Sequence, residues 1–275
     1  MTLFICIRQT AVGGGMPAEA YVLRATSTSA METVPWQQVH QAVSGKQLLI
    51  HCHGFNVPMA SAIAGAVVME SHIDVTDDEL FLAVLWPGDG QVPVITYSFE
   101  YRDAMVSGRL LARFLDQHCG QAASLSLGSH SLGGRVVLEA LLAMGGRVSE
   151  MCIAAPAVDN DSLSKRFKEG LARVERLTVL SSKKDKVLRW AYPLGDFFSD
   201  VFGDDDSAFR GALGLRGPRP MPGPPVQARA IPTDDDYDHG DYFPGKAATP
   251  GGKPPKWVKA TDFCARALRA GPLTW

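Results

Sequence analysis

Residues 124–142 of this chain, SLSLGSHSLGGRVVLEALL, decide its fold. The stretch begins with an apolar run of strand length and continues into a segment whose apolar residues recur with the period of a helix. Only a short turn centred on Ser131 separates the two halves. A buried strand that turns directly into a helix is the repeating unit of a parallel α/β sheet, so the stretch predicts that architecture.

The same alternation extends through much of the chain. Between residues 47 and 181, strand-like and helical segments follow one another, which predicts a mostly parallel central sheet with helices on both faces. The carboxyl ends of such strands are where ligands bind, so the residues after each strand are the first candidates for a site. The predicted strands are residues 3–7, 21–25, 47–53, 80–86, 123–129, 151–156 and 176–182. The predicted helices are residues 57–71, 99–117, 132–145, 162–173 and 256–270.

The composition favours a single domain over residues 1–275. With 46% hydrophobic and 20% charged residues, the chain can bury a large core. A formal net charge of −2 with scattered basic residues offers no footprint for nucleic acid. The start, MTLFICIRQT, lacks the basic region of a signal peptide, and no apolar run approaches the ~18 residues of a membrane span. The five cysteines form no CxxC pair, so we expect reduced thiols in a cytoplasmic protein.

Residues 191–232 interrupt the alternation of strands and helices. The segment combines aromatic clusters, an acidic triplet at 204–206 and the Pro/Gly-rich sequence GLRGPRPMPGPPV. Such a composition predicts an excursion from the sheet rather than core strands. It would form either a flexible surface loop or a partial cap over a pocket.

The turn at Ser131 has the form of a nucleophile elbow. A serine on a sharp turn from strand to helix is exposed for attack, and the crowded turn requires very small residues two positions before and after it. Here those positions hold Ser129 and Gly133, so the first differs from the usual G-x-S-x-G pattern but is still small. The alternative interpretation of Ser131 is an ordinary helix N-cap.

A second segment, LLIHCHGFNV, supports the catalytic interpretation. An apolar strand ends there in His53, Gly54 and Phe55, upstream of the serine strand, where the oxyanion loop of such a fold lies. The amides of Phe55 and Leu132 would then stabilise one developing oxyanion. His51 and His53 share a strand face, a spacing that some metal sites use, but the other histidines stand singly and we expect no metal.

A catalytic base must follow the nucleophile in this topology, in the order serine, acid, histidine. His239 is the one histidine beyond Ser131, so it is the candidate base. Asp185, directly after the predicted strand 176–182, is the preferred acid. Asp159, after the preceding strand, is the second candidate.

At these motifs the chain resembles the α/β-hydrolase superfamily, and more closely a group of bacterial α/β-hydrolases of unassigned function. The resemblance implies the α/β-hydrolase fold, the acid role for Asp185 and the base role for His239. The chain departs from the group at Ala157, where an aspartate is expected, and in the Pro-rich segment 211–225. The matching segments are HGFN at 53–56, WP at 86–87, HSLGGRVVLEAL at 130–141, AP at 155–156, SKKDKVL at 182–188 and HGDYF at 239–243.

These features predict a serine hydrolase, by default a carboxylesterase acting on small to medium acyl esters, with no cofactor. The same residues would serve amides or thioesters. A non-catalytic binding protein built on this fold is the alternative from another class. The residues expected to contact substrate are His53, Gly54, His130, Trp190 and Tyr192, and the nearby aromatics Phe197, Phe198 and Phe202 either line the same pocket or belong to the core.

Overall fold

The computed structural model describes residues 2–9, 16–25, 31–88, 97–190, 211–244 and 254–275. Within these ranges nine strands form one sheet, in the order β3-β2-β1-β5-β4-β6-β7-β8-β9. All neighbouring pairs from β1 to β9 are parallel, and β2 and β3 add an antiparallel edge. The predicted mostly parallel sheet is therefore confirmed. The strands are β1 Leu3–Cys6, β2 Tyr21–Ala25, β3 Met31–Thr33, β4 Gln47–Cys52, β5 Glu79–Leu85, β6 Ser124–His130, β7 Val148–Ala154, β8 Val174–Ser181 and β9 Val226–Ala230.

Helices cover both faces of the sheet around β6. A β carbon built on Gly128 would lie 3.1 Å from Leu268, whereas one built on Gly134 lies 3.7 Å from the Ser129 hydroxyl. Because successive residues of a strand point to opposite faces, the helices that contain Leu268 and Gly134 lie on opposite sides. The helices are α1 Trp36–Val43, α2 Met59–His72, α3 Tyr97–His118, α4 Gly133–Ala143, α5 Lys186–Trp190, α6 Leu213–Arg216 and α7 Lys256–Leu268.

The register of the central strands brings their carboxyl ends to one level. Cys52 of β4 lies opposite Ser129 of β6, and Ala154 of β7 lies opposite both His130 of β6 and Leu180 of β8. The loops that follow these four strands therefore meet at the same edge. The predicted segments with His53, Ser131 and Asp185 directly follow strands that end at this edge.

The helix predicted over residues 162–173 is not formed. The segment consists of turns that end in a 3₁₀ turn at Gly170–Arg173. Its amides bond to carbonyls three, four and five residues back, with Phe167 donating to Ser162. Leu163 and Phe167 are fully buried, so packing of these two side chains prevailed over the helical periodicity.

The predicted excursion from the sheet is wrong for residues 226–230, whose sequence VQARA is strand-like, whereas residues 211–225 form no named strand. Residues 226–230 form β9, which pairs in parallel with β8 and covers its edge. Residues 212–215 are buried, and the amides of Leu213 and Gly214 donate to carbonyls of residues 158 and 156. Unpaired strand edges expose backbone groups that seek partners, which favours the addition of a strand here. Residues 191–210, the first part of the segment predicted to be a loop or a cap, lie outside the described residues.

Four further elements were not predicted, namely the helices α1, α5 and α6 and the short edge strand β3. None of the helices in the described ranges combines the length and the apolar character needed to cross a membrane.

Candidate active site

Ser131 occupies the sharp turn between β6 and α4, as the sequence predicted. Its φ of 55° lies in the left-handed region that non-glycine residues rarely adopt. The turn is held by backbone hydrogen bonds: the Ser131 amide donates to the Ala154 carbonyl at 3.0 Å, and the Ser131 carbonyl accepts from the Gly134 amide at 2.9 Å and from the Ala157 amide at 3.1 Å. Bonds on both sides of the serine keep the strained turn in place.

The end of β4 passes so close to the elbow that two glycines are required. A β carbon on Gly133 would lie 2.3 Å from the His53 carbonyl oxygen and 2.7 Å from that of Cys52. A β carbon on Gly54 would lie 2.9 Å from the Ser131 β carbon. At the other flank Ser129 is fully buried, so the crowded position two residues before the nucleophile accommodates a serine.

His239 reaches the elbow from a loop after β9. Its Nε2 lies 2.8 Å from the Ser131 hydroxyl, and its Nδ1 lies 2.7 Å from Oδ2 of Asp185. A neutral imidazole with Nδ1–H donating to the carboxylate presents Nε2 as the acceptor of the Ser131 hydroxyl proton. The His239 side chain is 15% exposed and Ser131 is 7% exposed, so little water competes with these bonds.

Asp185 is the predicted acid that the structure brings against His239. It is fully buried just after β8, and its second oxygen, Oδ1, accepts the amide of Leu188 at 2.8 Å. This oxygen caps the start of α5, which fixes the rotamer that directs Oδ2 at His239. Asp159 is instead an exposed residue that forms an isolated bridge with Ala212.

Of the two predicted oxyanion donors, Leu132 directly follows Ser131 and Phe55 lies in the loop after β4. Leu132 is the N-cap residue of α4, and its amide has no hydrogen-bond acceptor among the described residues. Phe55 follows Gly54, which packs directly against Ser131. The start of α4 adds the positive end of the helix dipole at this point.

Of the residues expected to contact substrate, His53 and His130 take part in holding the loops. His53 donates from Nδ1 to the Gly54 carbonyl at 2.8 Å, and its own carbonyl accepts Nε1–H of Trp86 at 2.8 Å. His130 donates from Nε2 to the His239 carbonyl at 2.9 Å, with the two rings 4.8 Å apart. Burial, followed by the charge that His239 can carry, holds the pKa of His130 well below its usual value.

The aromatic part of the predicted pocket falls outside the described residues. This applies to the side chain of Trp190, at the end of α5, and to all of Tyr192, Phe197, Phe198 and Phe202. No metal site emerges from the described ranges, where no group of three or more His, Cys, Asp or Glu side chains is arranged to hold an ion. His51, the other histidine of the HCH motif, is buried with its ring 4.4 Å from that of Phe243.

Two polar residues near the site were not predicted from the sequence. Asp238 accepts the amides of Lys186 and His239, both at 2.9 Å. Ser182 donates to the Tyr237 carbonyl at 2.7 Å. The signal for Asp238 was present in the local sequence, because an aspartate followed three positions later by another acid is the pattern of a reciprocal helix cap.

The chain matches the model of one protein family, described as alpha/beta hydrolase of unknown function (DUF900), over residues 29–196. The match includes the segments of Ser131 and Asp185 and ends before His239. No curated protein matches the chain.

Proposed function

Because this chain belongs to the DUF900 family of alpha/beta hydrolases of unknown function, we propose that it is a serine hydrolase that cleaves carboxylic esters. One observation carries the proposal: a continuous hydrogen-bonded line runs from Ser131 through His239 to Asp185, with heavy-atom distances of 2.8 and 2.7 Å. A nucleophile, a base and an orienting acid in this order are what acyl transfer requires.

In the first half of the proposed reaction, Nε2 of His239 takes the proton of the Ser131 hydroxyl. The serine oxygen forms a bond to the ester carbonyl carbon, and the π electron pair moves onto the carbonyl oxygen. Amides of Leu132 and Phe55 stabilise that oxyanion. The C–O bond to the alcohol then breaks, the leaving oxygen takes the proton from His239, and the acyl group stays on Ser131.

In the second half, water gives a proton to His239 and attacks the acyl carbon. The resulting oxyanion collapses, the bond to Ser131 breaks, and the serine oxygen recovers its proton from His239 as the carboxylic acid leaves. Asp185 keeps Nδ1 protonated and stabilises the imidazolium that forms twice in each cycle. No cofactor takes part in these steps.

Small to medium acyl esters are the proposed substrates, since an ester leaving group makes the smallest chemical demand on such a site. The test is hydrolysis of p-nitrophenyl esters from acetate to palmitate by the wild type and by Ser131→Ala. We expect hydrolysis by the wild type and a loss on the order of 10⁶-fold in kcat for the variant. Circular dichroism would check that both proteins are equally folded.

A serine-reactive fluorophosphonate separates the possible failures. Labelling of the wild type and not of Ser131→Ala, without ester turnover, would leave a serine hydrolase with another acyl substrate, such as an amide or a thioester. A folded wild type that neither labels nor hydrolyses any ester would refute the proposal and indicate a binding protein. Full activity in a folded Ser131→Ala protein would remove Ser131 from the mechanism.

A further inference from the structure

We propose that Asp238 is a positioning residue that holds the base His239 against the acid Asp185, an inference that rests on the proposed function. Asp238 does not touch the reacting atoms. Together with the Ser182–Tyr237 bond, it joins the loop of the acid to the loop of the base, and it is the contact made next to both Asp185 and His239.

A single oxygen of Asp238 bridges the two loops. Its Oδ1 accepts the amide of Lys186 and the amide of His239, each at 2.9 Å. Lys186 directly follows Asp185, and His239 directly follows Asp238. The Lys186 amide is therefore covalently next to the acid, and the His239 amide belongs to the base itself.

Such a bridge is needed because the chain itself does not hold the pair together. Asp185 and His239 are 54 positions apart in the sequence. The base sits in a 3₁₀ turn of three residues, His239–Asp241, and a turn this short has few bonds of its own. Contacts made outside the turn must therefore set the position of the imidazole.

The backbone of Asp238 is held as well. Its amide donates to Oδ2 of Asp241 at 2.9 Å, which completes a reciprocal cap of the turn. Oδ2 of Asp241 lies 3.3 Å from Nζ of Lys256 in α7. A chain of contacts thus runs from α7 through Asp241 and Asp238 to the start of α5.

The charge of Asp238 strengthens this arrangement. Burial on its own would raise the pKa of the carboxyl group, but the amides of Lys186 and His239 and the ammonium of Lys186, 3.5 Å from Oδ2, hold that pKa below its usual value. The group is therefore an anion at neutral pH. Hydrogen bonds from amides to a carboxylate are shorter and stronger than those between neutral groups.

Proton transfer depends on both bonds of His239 at once. A displacement of the imidazole by about 1 Å would lengthen the contact with either Ser131 or Asp185, and misplacements of that size cost on the order of 100-fold in rate. A residue that acts by positioning the base affects the proton-transfer steps, so the loss of Asp238 should lower kcat and leave KM nearly unchanged.

The experiment compares Asp238→Ala, Asp238→Asn and the matched control Asp234→Asn. Asp234 is an exposed carboxylate of the same acidic segment with no side-chain contact among the described residues. We expect kcat for an ester substrate to fall about 100-fold in Asp238→Ala, with KM within about twofold of the wild type. Asp238→Asn keeps an oxygen that accepts both amides and should retain kcat within about fivefold.

A second pair of variants tests the bridge without altering Asp238. Lys186→Pro removes the donating amide at the first position of α5, where proline is well tolerated. Lys186→Ala keeps the amide and removes only the ammonium. A kcat loss of at least about tenfold for proline relative to alanine is expected.

Proton NMR provides a readout that does not depend on turnover. The Nδ1–H of His239, donated to a buried carboxylate, gives a strongly deshielded resonance. We expect this signal to broaden or vanish in Asp238→Ala and Lys186→Pro, and to persist in Asp238→Asn and Asp234→Asn. Persistence in all variants, together with equal kcat for Asp238→Ala and Asp234→Asn, would overturn the inference.

Failure of the proposed function is recognised separately. A wild type without esterase activity or fluorophosphonate labelling would remove the hydrolase assignment, and the NMR comparison would still decide whether Asp238 positions His239. An active, Ser131-dependent wild type with an unaffected Asp238→Ala variant would instead refute the role of Asp238 alone.

Discussion

Replacement of His51 by glutamine should make the protein less sensitive to acid. His51 lies in β4 and is 6% exposed, and its Nδ1 has no hydrogen-bond partner in the described part of the chain. Burial, with a smaller contribution from the nearby His53, lowers the pKa of His51 to about 3. An unfolded histidine has a pKa of about 6.5.

The direction of the pH effect on stability follows from the number of protons that the folded and the unfolded states bind. At a pH between about 3 and about 6.5, His51 carries a proton in the unfolded chain and none in the folded protein. Protons therefore favour unfolding, and the contribution of neutral His51 to stability is complete above the unfolded pKa and is lost as the pH falls. The loss approaches about 1.4 kcal/mol per pH unit, or about 2 kcal/mol at pH 5.

The assay is urea unfolding of the wild type and of His51→Gln at pH 7 and pH 5, followed by circular dichroism. Glutamine does not titrate. Between pH 7 and pH 5, the free energy of unfolding should therefore fall by about 2 kcal/mol less in the variant than in the wild type. Any cost of the substitution at pH 7 cancels in this comparison. The titration of His130 cancels in part, because burial and His239 lower the pKa of His130 more than His51 does. Equal decreases in the two proteins, within about 0.5 kcal/mol, would refute the reasoning.

Two further substitutions test the geometry of the site. Gly133→Ala would place a β carbon 2.3 Å from the His53 carbonyl oxygen. We therefore expect kcat/KM to fall on the order of 100-fold and the free energy of unfolding to fall by about 1–3 kcal/mol. The control Gly120→Ala should change neither activity nor stability, because a β carbon there would have no atom within 4 Å. Wild-type activity of Gly133→Ala would show that the β4 segment can move freely. Asp185→Asn should lower kcat for ester hydrolysis on the order of 10⁴-fold, because the amide would favour the wrong tautomer of His239. Asp159→Asn should leave kcat unchanged. The reverse result would make Asp159 the acid.

The elements that were predicted correctly have a local signal. The β6 strand, the turn at Ser131 and the α4 helix follow from an apolar run, small residues and a helical period that lie next to one another in the chain. The same holds for the strand that ends at Cys52. The need for glycine at position 54 has no local signal, because it follows from the approach of this residue to Ser131.

The wrong predictions concern segments whose structure depends on distant partners. Residues 162–173 have a helical pattern, but the burial of Leu163 and Phe167 bends them into turns. Residues 226–230 are strand-like in sequence but follow a Pro/Gly-rich segment, and only the open edge of β8 shows that they join the sheet as β9. Neither the pocket for these side chains nor the open edge is visible in a window of sequence.

The sequence by itself determined the sheet architecture, the candidate nucleophile at the elbow and the one histidine that follows it, because hydrophobic period, small-residue flanks and chain order are properties of the chain alone. The tertiary structure placed Asp185, and not Asp159, against His239, and it placed Asp238 between the two loops. Both outcomes depend on residues separated by more than fifty positions, for example Lys186 and Asp238 with a separation of 52. Contacts over such separations are set by the register of parallel strands and by the packing of loops at one sheet edge, which no local pattern encodes.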